Sequence, residues 1–120
     1  MTYEETPVTE DKGTDTVLCS LDELEDPGSR EFRIGRRERM FVVRKEGEIH
    51  GYMNLCPHQG TVLDWKPNTF LTSEFDYILC ATHGALFEIG DGKCVYGPCL
   101  GRSLAPVKVR VEDGKVMLDE

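Results

Sequence analysis

From residue 16 onward, apolar residues fall in short runs that alternate with polar ones and are broken by Gly, Pro or Asp. A period of two with frequent turn residues predicts strands rather than helices. The predicted strands are 16–20, 31–34, 39–45, 48–54, 77–79, 86–89, 93–95, 107–112 and 115–118. In 107–112 the apolar positions Val107, Val109 and Val111 alternate with Lys108 and Arg110, the pattern of a strand with one buried and one solvated face. The breaks Lys45-Glu46-Gly47-Glu48, Gly90-Asp91-Gly92 and Glu112-Asp113-Gly114 carry residues that tight hairpins need. The fold class is therefore all-β. Within the long spacer, 61–67 is expected to include a helical turn, and Trp65, Phe70, Phe75 and Tyr77 are expected in the core.

Composition changes this picture little. A chain of 120 residues suits one domain, here 16–120, behind an acidic, polar tail at 1–15. The net charge of −8 argues against nucleic acid as a partner and suits a carrier that docks on a basic surface. No apolar run reaches the roughly 18 residues of a membrane span. Residues 1–15 hold no hydrophobic signal region, so no membrane association and a cytoplasmic location are expected. Arg30, Arg33, Arg36, Arg37, Arg39, Arg44 and Lys45 form a basic cluster, read as a solvated strand face.

The chemistry concentrates in two short runs. Leu55-Cys56-Pro57-His58-Gln59-Gly60 and Leu79-Cys80-Ala81-Thr82-His83-Gly84 each offer one thiolate and one imidazole. Two soft sulfurs with two borderline nitrogens suit either tetrahedral zinc or an iron–sulfur cluster. Zinc sites usually pair cysteine with cysteine and histidine with histidine over short range, whereas each run here supplies one of each, which favours iron–sulfur. Gly60 and Gly84 allow a tight turn and close approach of backbone N–H groups. Of the remaining cysteines, Cys19 is expected to pack as a small core residue. Cys94 and Cys99 flank Val95-Tyr96-Gly97-Pro98 and are expected to pack rather than pair in a reducing compartment. His50, the only other histidine, is expected to be partly exposed and structural.

The pattern Cys-x-His, spacer, Cys-x-x-His, with Gly60, Gly84 and Gly97-Pro98, resembles the small soluble Rieske-type ferredoxins. The resemblance extends loosely over 17–117, and its specific part is 56–99. It implies an antiparallel β-sandwich with a smaller cluster-binding part, about 55–99, formed by two ligand loops. It also implies one 2Fe-2S cluster per chain, with Cys56 and Cys80 on one iron and His58 and His83 on the other. Gly60, Gly84, Ala85, Phe87 and Pro98 would surround it, the last in a loop that covers the cluster. The spacer 59–79 is longer than in many ferredoxins of this type.

The resemblance also bears on potential. Quinol-oxidising members carry two further cysteines that tie the loops by a disulfide, and Thr61 and Thr82 stand at those positions here. Those members also place a serine and a tyrosine whose hydroxyls donate to the sulfurs, where this chain has Ala85 and Phe87. Neither side chain can donate, so a low-potential cluster is expected. The implied role is a non-enzymatic one-electron carrier between a reductase, flavin-dependent in type, and a terminal oxygenase or similar acceptor. One histidine outside the ligand pairs cannot build the two-histidine, one-carboxylate iron site of an oxygenase. The rival readings are a small subunit of a nitrite-reductase-type assembly, a redox or iron sensor, and a zinc-bound interaction module.

Overall fold

The computed structural model describes residues 16–34, 38–57, 62–64, 66, 68–82 and 84–119. The tail 1–15, Arg36, Arg37, His58, Gly60, Thr61, Trp65 and His83 lie outside them, and with them the expectations placed there.

Among the described residues ten strands form three antiparallel sheets, with a single 3-10 turn at Leu21–Glu23 and no α-helix. The first sheet joins β1 (Thr16–Ser20), β10 (Lys115–Leu118) and β9 (Val109–Glu112) in that order. The second runs β2 (Gly28–Arg33), β3 (Arg39–Lys45), β4 (Glu48–Met53) and β8 (Pro106–Val107). The third and smallest joins β5 (Ile78–Cys80), β6 (Ala85–Phe87) and β7 (Cys94–Tyr96).

Strand β3 explains the layering. Its run Met40-Phe41-Val42-Val43 is fully buried, because alternate side chains serve opposite cores. Met40 and Val42 pack with Cys19, Leu24, Val116 and Leu118 under the first sheet. Phe41 and Val43 share a second core with Tyr52, Phe70, Phe87 and the cysteines of the third sheet. The second sheet is thus the middle layer, and its apolar run reads like a strand covered on both faces. Phe41 stacks on Phe70 with centroids 4.2 Å apart, which fastens the long spacer to this scaffold. Asn68 continues that attachment, its side-chain oxygen accepting the Glu31 N–H at 2.8 Å.

Several expectations need correction. The strand expected at 107–112 is divided at Lys108, because the chain leaves one sheet for the other there. Pro106 and Val107 pair with β4, whereas Val109 onward pairs with β10. Strand β2 starts three residues earlier than expected, with Gly28 opposite Arg44. The short strands around the site are displaced by one residue or so, which places Cys80 and Ala85 within strands. Val62, Leu63 and Asp64 have irregular backbone, so these residues take no part in the expected helical turn. Phe70 is core, but Phe75 is 42% exposed at a positive φ of 61°, and Tyr77 is half-buried. The hairpin at Glu46-Gly47 is as expected, with φ of 54° and 83° as a tight two-residue turn requires. Within the basic cluster, Arg30, Arg39 and Arg44 lie near Glu23, Glu31 and Asp26 at 3.7–3.8 Å. His50 is partly exposed in β4, 3.4 Å from Glu48.

Candidate metal centre

Strand β4 ends at Met53 and delivers Cys56 after a bend at Asn54, while Cys80 is the last residue of β5. Both cysteines are fully buried, and none of the five cysteines forms a disulfide. Cys56, Cys80, Cys94 and Cys99 belong to one buried core, and Cys19 lies in the other as a packed residue. Four of the five cysteines therefore share one core.

The connection between the two candidate loops starts from Asn54, a residue outside the cysteine–histidine pattern. Asn54 is 1% exposed, two positions before Cys56, and its amide bonds in three directions. Its Oδ1 accepts the Leu63 N–H at 2.8 Å, and its Nδ2 donates to Glu31 at 2.7 Å and Asp64 at 3.2 Å. That closes the first loop at its base. The Leu63 carbonyl then accepts the Ala81 N–H at 3.0 Å, one residue past Cys80. A backbone hydrogen bond thus ties the two candidate loops together. Asn54 carried a faint signal in the sequence, as a polar residue at the end of a strand, but its partners lie in an irregular loop and on another strand.

The second loop closes on itself. Gly84 donates its N–H to the Cys80 carbonyl at 2.7 Å and takes φ of 72°, which lets the chain return as β6. Ala85 then stands opposite Cys80, and the buried Phe87 stands opposite Ile78.

A third loop follows β7. Gly97 sits against Ala85 so closely that a Cβ on it would lie 2.8 Å from the Ala85 Cα, and its φ is 103°. Pro98 is exposed, and Cys99 turns inward and is fully buried. The Arg102 N–H bonds the Cys99 carbonyl at 2.8 Å, and the Arg102 guanidinium donates to the Pro57 carbonyl at 2.8 Å. The guanidinium thereby fixes the loop to the first candidate loop, and Gly97 packs it against the strand that follows the second. Cys99 does not meet Cys94, whose thiol points to the Tyr96 carbonyl at 3.3 Å. It meets Cys56, with Sγ atoms 3.7 Å apart. Burial pushes the Cys99 thiol up to about 12, with the Cys56 hydrogen bond and the neighbouring cysteines adding to it.

Among the described residues no three side chains form a complete metal site, His58 and His83 being outside them. The described half nonetheless suits iron–sulfur chemistry. Two buried, unbridged sulfurs stand at the ends of separate loops on a rigid sheet, with an environment that excludes water. The family model of the Rieske [2Fe-2S] domain matches residues 14–113. This chain belongs to the Rieske family. One 2Fe-2S cluster per chain follows from that membership.

Similar proteins agree with the architecture of this Rieske chain. The ferredoxin component of the alkene monooxygenase system of Xanthobacter autotrophicus is 29% identical over 101 residues, covering 84% of this chain and 77% of that protein. The ferredoxin of carbazole 1,9a-dioxygenase from Nocardioides aromaticivorans superposes with a TM-score of 0.72 at 23% identity, covering 88% of this chain and 96% of the ferredoxin. The terminal oxygenase of the same system superposes with a TM-score of 0.73 at 20% identity, but only over 30% of its length. At these identities the two superpositions establish a common fold. No helix among the described residues is long and apolar enough to cross a membrane.

Proposed function

We propose that this Rieske protein is a one-electron carrier that receives electrons from a reductase, flavin-dependent in type, and passes them to a terminal oxygenase or similar acceptor. The observation that carries the reading is the pair of buried cysteines, Cys56 and Cys80, on loops joined through Asn54, Leu63 and Ala81 within a Rieske match. The relative named as a monooxygenase ferredoxin component, matched over most of both chains, supports it.

Cys56 and Cys80 would hold one iron and His58 and His83 the other, within a cluster-binding part at about 55–99. When bound, the cluster supplies a one-electron couple. The chain's own residues hold it, shield its sulfurs from water and set the balance of charge around it. Ala85 and Phe87 are buried beside the site and donate nothing to it, so the potential lies near the bottom of the Rieske range of about −150 to +300 mV. We read the protein as non-catalytic and cytoplasmic.

Stopped-flow absorbance tests the role. The holoprotein is expected to be reduced by NADH through a flavin-dependent reductase and reoxidised by a Rieske terminal oxygenase over many turnovers. A permanent one-to-one complex with a larger enzyme on size exclusion, with no exchange of electrons in solution, would contradict it.

A further inference from the structure

We propose that Cys99 is a potential-tuning residue: its thiol donates a hydrogen bond to the sulfur of Cys56. The proposal rests on Cys56 being a cluster ligand. Between two thiols 3.7 Å apart either sulfur could donate. Ligation removes that symmetry, because a metal-bound cysteine is a thiolate and has no proton to give. Cys99 is then the only one of the two that can donate.

Three features make this contact more than a chance approach of two sulfurs. Both residues are fully buried, so water does not compete for the acceptor, and the low local dielectric strengthens even a weak S–H donor. The backbone of the third loop is fixed on two sides, by the close approach of Gly97 to Ala85 and by the Arg102 guanidinium on the Pro57 carbonyl. Cys94, the other buried cysteine of this region outside the ligand pairs, directs its thiol to the Tyr96 carbonyl instead.

The consequence has a sign. The reduced centre carries one more negative charge than the oxidised one, and a donor aimed at a ligand sulfur favours the more negative state. Cys99 therefore raises the potential above that of the same chain without it. It offsets part of what Ala85 and Phe87 fail to supply.

The test is an anaerobic redox titration of the holoprotein as wild type, C99A, C99V and C99S, with the cluster spectrum recorded for each. C99A and C99V are expected to shift the reduction equilibrium against the reduced state by about tenfold, which is 59 mV for one electron. C99S, which keeps a donor of similar size, is expected to restore most of that shift. An unmoved potential in C99A and C99V with an intact spectrum would overturn the role of Cys99 alone. So would a C99S potential as low as that of C99A. If neither C99A nor C99V retains the cluster, Cys99 holds the site together rather than tuning it, and the proposal falls. Absence of a Rieske spectrum from the wild type would instead overturn the ligand reading itself.

Discussion

Cys80 and Ala85 are direct partners across the β5–β6 ladder, and both are fully buried. The residue at 85 is thus fixed beside Cys80, a proposed cluster ligand, by strand pairing and not by a mobile loop. A hydroxyl introduced there would meet that environment without water to satisfy it. A85S is expected to raise the reduction equilibrium by about tenfold, or 59 mV, and F87Y to act in the same direction. Voltammetry on the two variants checks this. Potentials equal to wild type, with the cluster intact in both, would contradict it.

Asn54 is predicted to be the most sensitive polar residue outside the ligand set. N54A leaves the Leu63 N–H without its partner and Glu31 and Asp64 without their donor, a loss of about 3 kcal/mol. N54D should be at least as harmful, since a third carboxylate would then face Glu31 and Asp64. Urea unfolding and the fraction of cluster retained give the answer, and a wild-type midpoint for N54D would contradict this role of Asn54.

Gly97 is required twice, by its φ of 103° and by its approach to Ala85. G97A is expected to lose about 1–3 kcal/mol of stability and to displace the loop that carries Cys99. The expected signature is a lower melting temperature together with a perturbed cluster spectrum. G47A, at a positive φ but with open space around its Cβ, should lower stability without touching the spectrum.

Tyr52 gives the fold a dependence on high pH. Its hydroxyl donates to the Ile89 carbonyl at 2.6 Å, and burial, aided by Asp91, pushes its pKa from 10.0 up to about 12. The neutral phenol is the favoured folded form, so its contribution is complete below pH 10. Between 10 and about 12 the unfolded chain releases the proton while the folded one keeps it, and stability falls as pH rises. The loss amounts to about 2–3 kcal/mol. Y52F is expected to be weaker by about 1 kcal/mol at neutral pH but to decline less steeply in this window, as read from urea midpoints. Parallel declines for the two proteins would contradict it.

Much of the scaffold was legible because its causes are local. Strands β1, β3 and β10 end where alternation and turn residues place them, and the Glu46-Gly47 hairpin follows from its two residues alone. The division at Lys108 was not legible, since an alternating run does not record which sheet each half joins. Phe75 misled for a related reason: an aromatic residue suggests burial, but its backbone sits in an exposed turn. The cysteine–histidine spacing pointed to the metal chemistry, with the histidines outside the described residues. What spacing could not give was the shell around it. Asn54 meets Leu63 across one irregular loop, and Ala81 with Leu63 and Cys99 with Cys56 are long-range meetings that depend on the finished fold.

A Rieske centre held by two cysteines and two histidines has a spectroscopic signature of its own, read by EPR with nitrogen ENDOR on protein purified without oxygen, before and after dithionite. No signal is expected as purified. After reduction the expected signal has an average g below the free-electron value and is coupled to two histidine nitrogens, one lost in H58C and the other in H83C. A colourless protein with stoichiometric zinc, or a reduced cluster without nitrogen coupling, would contradict it.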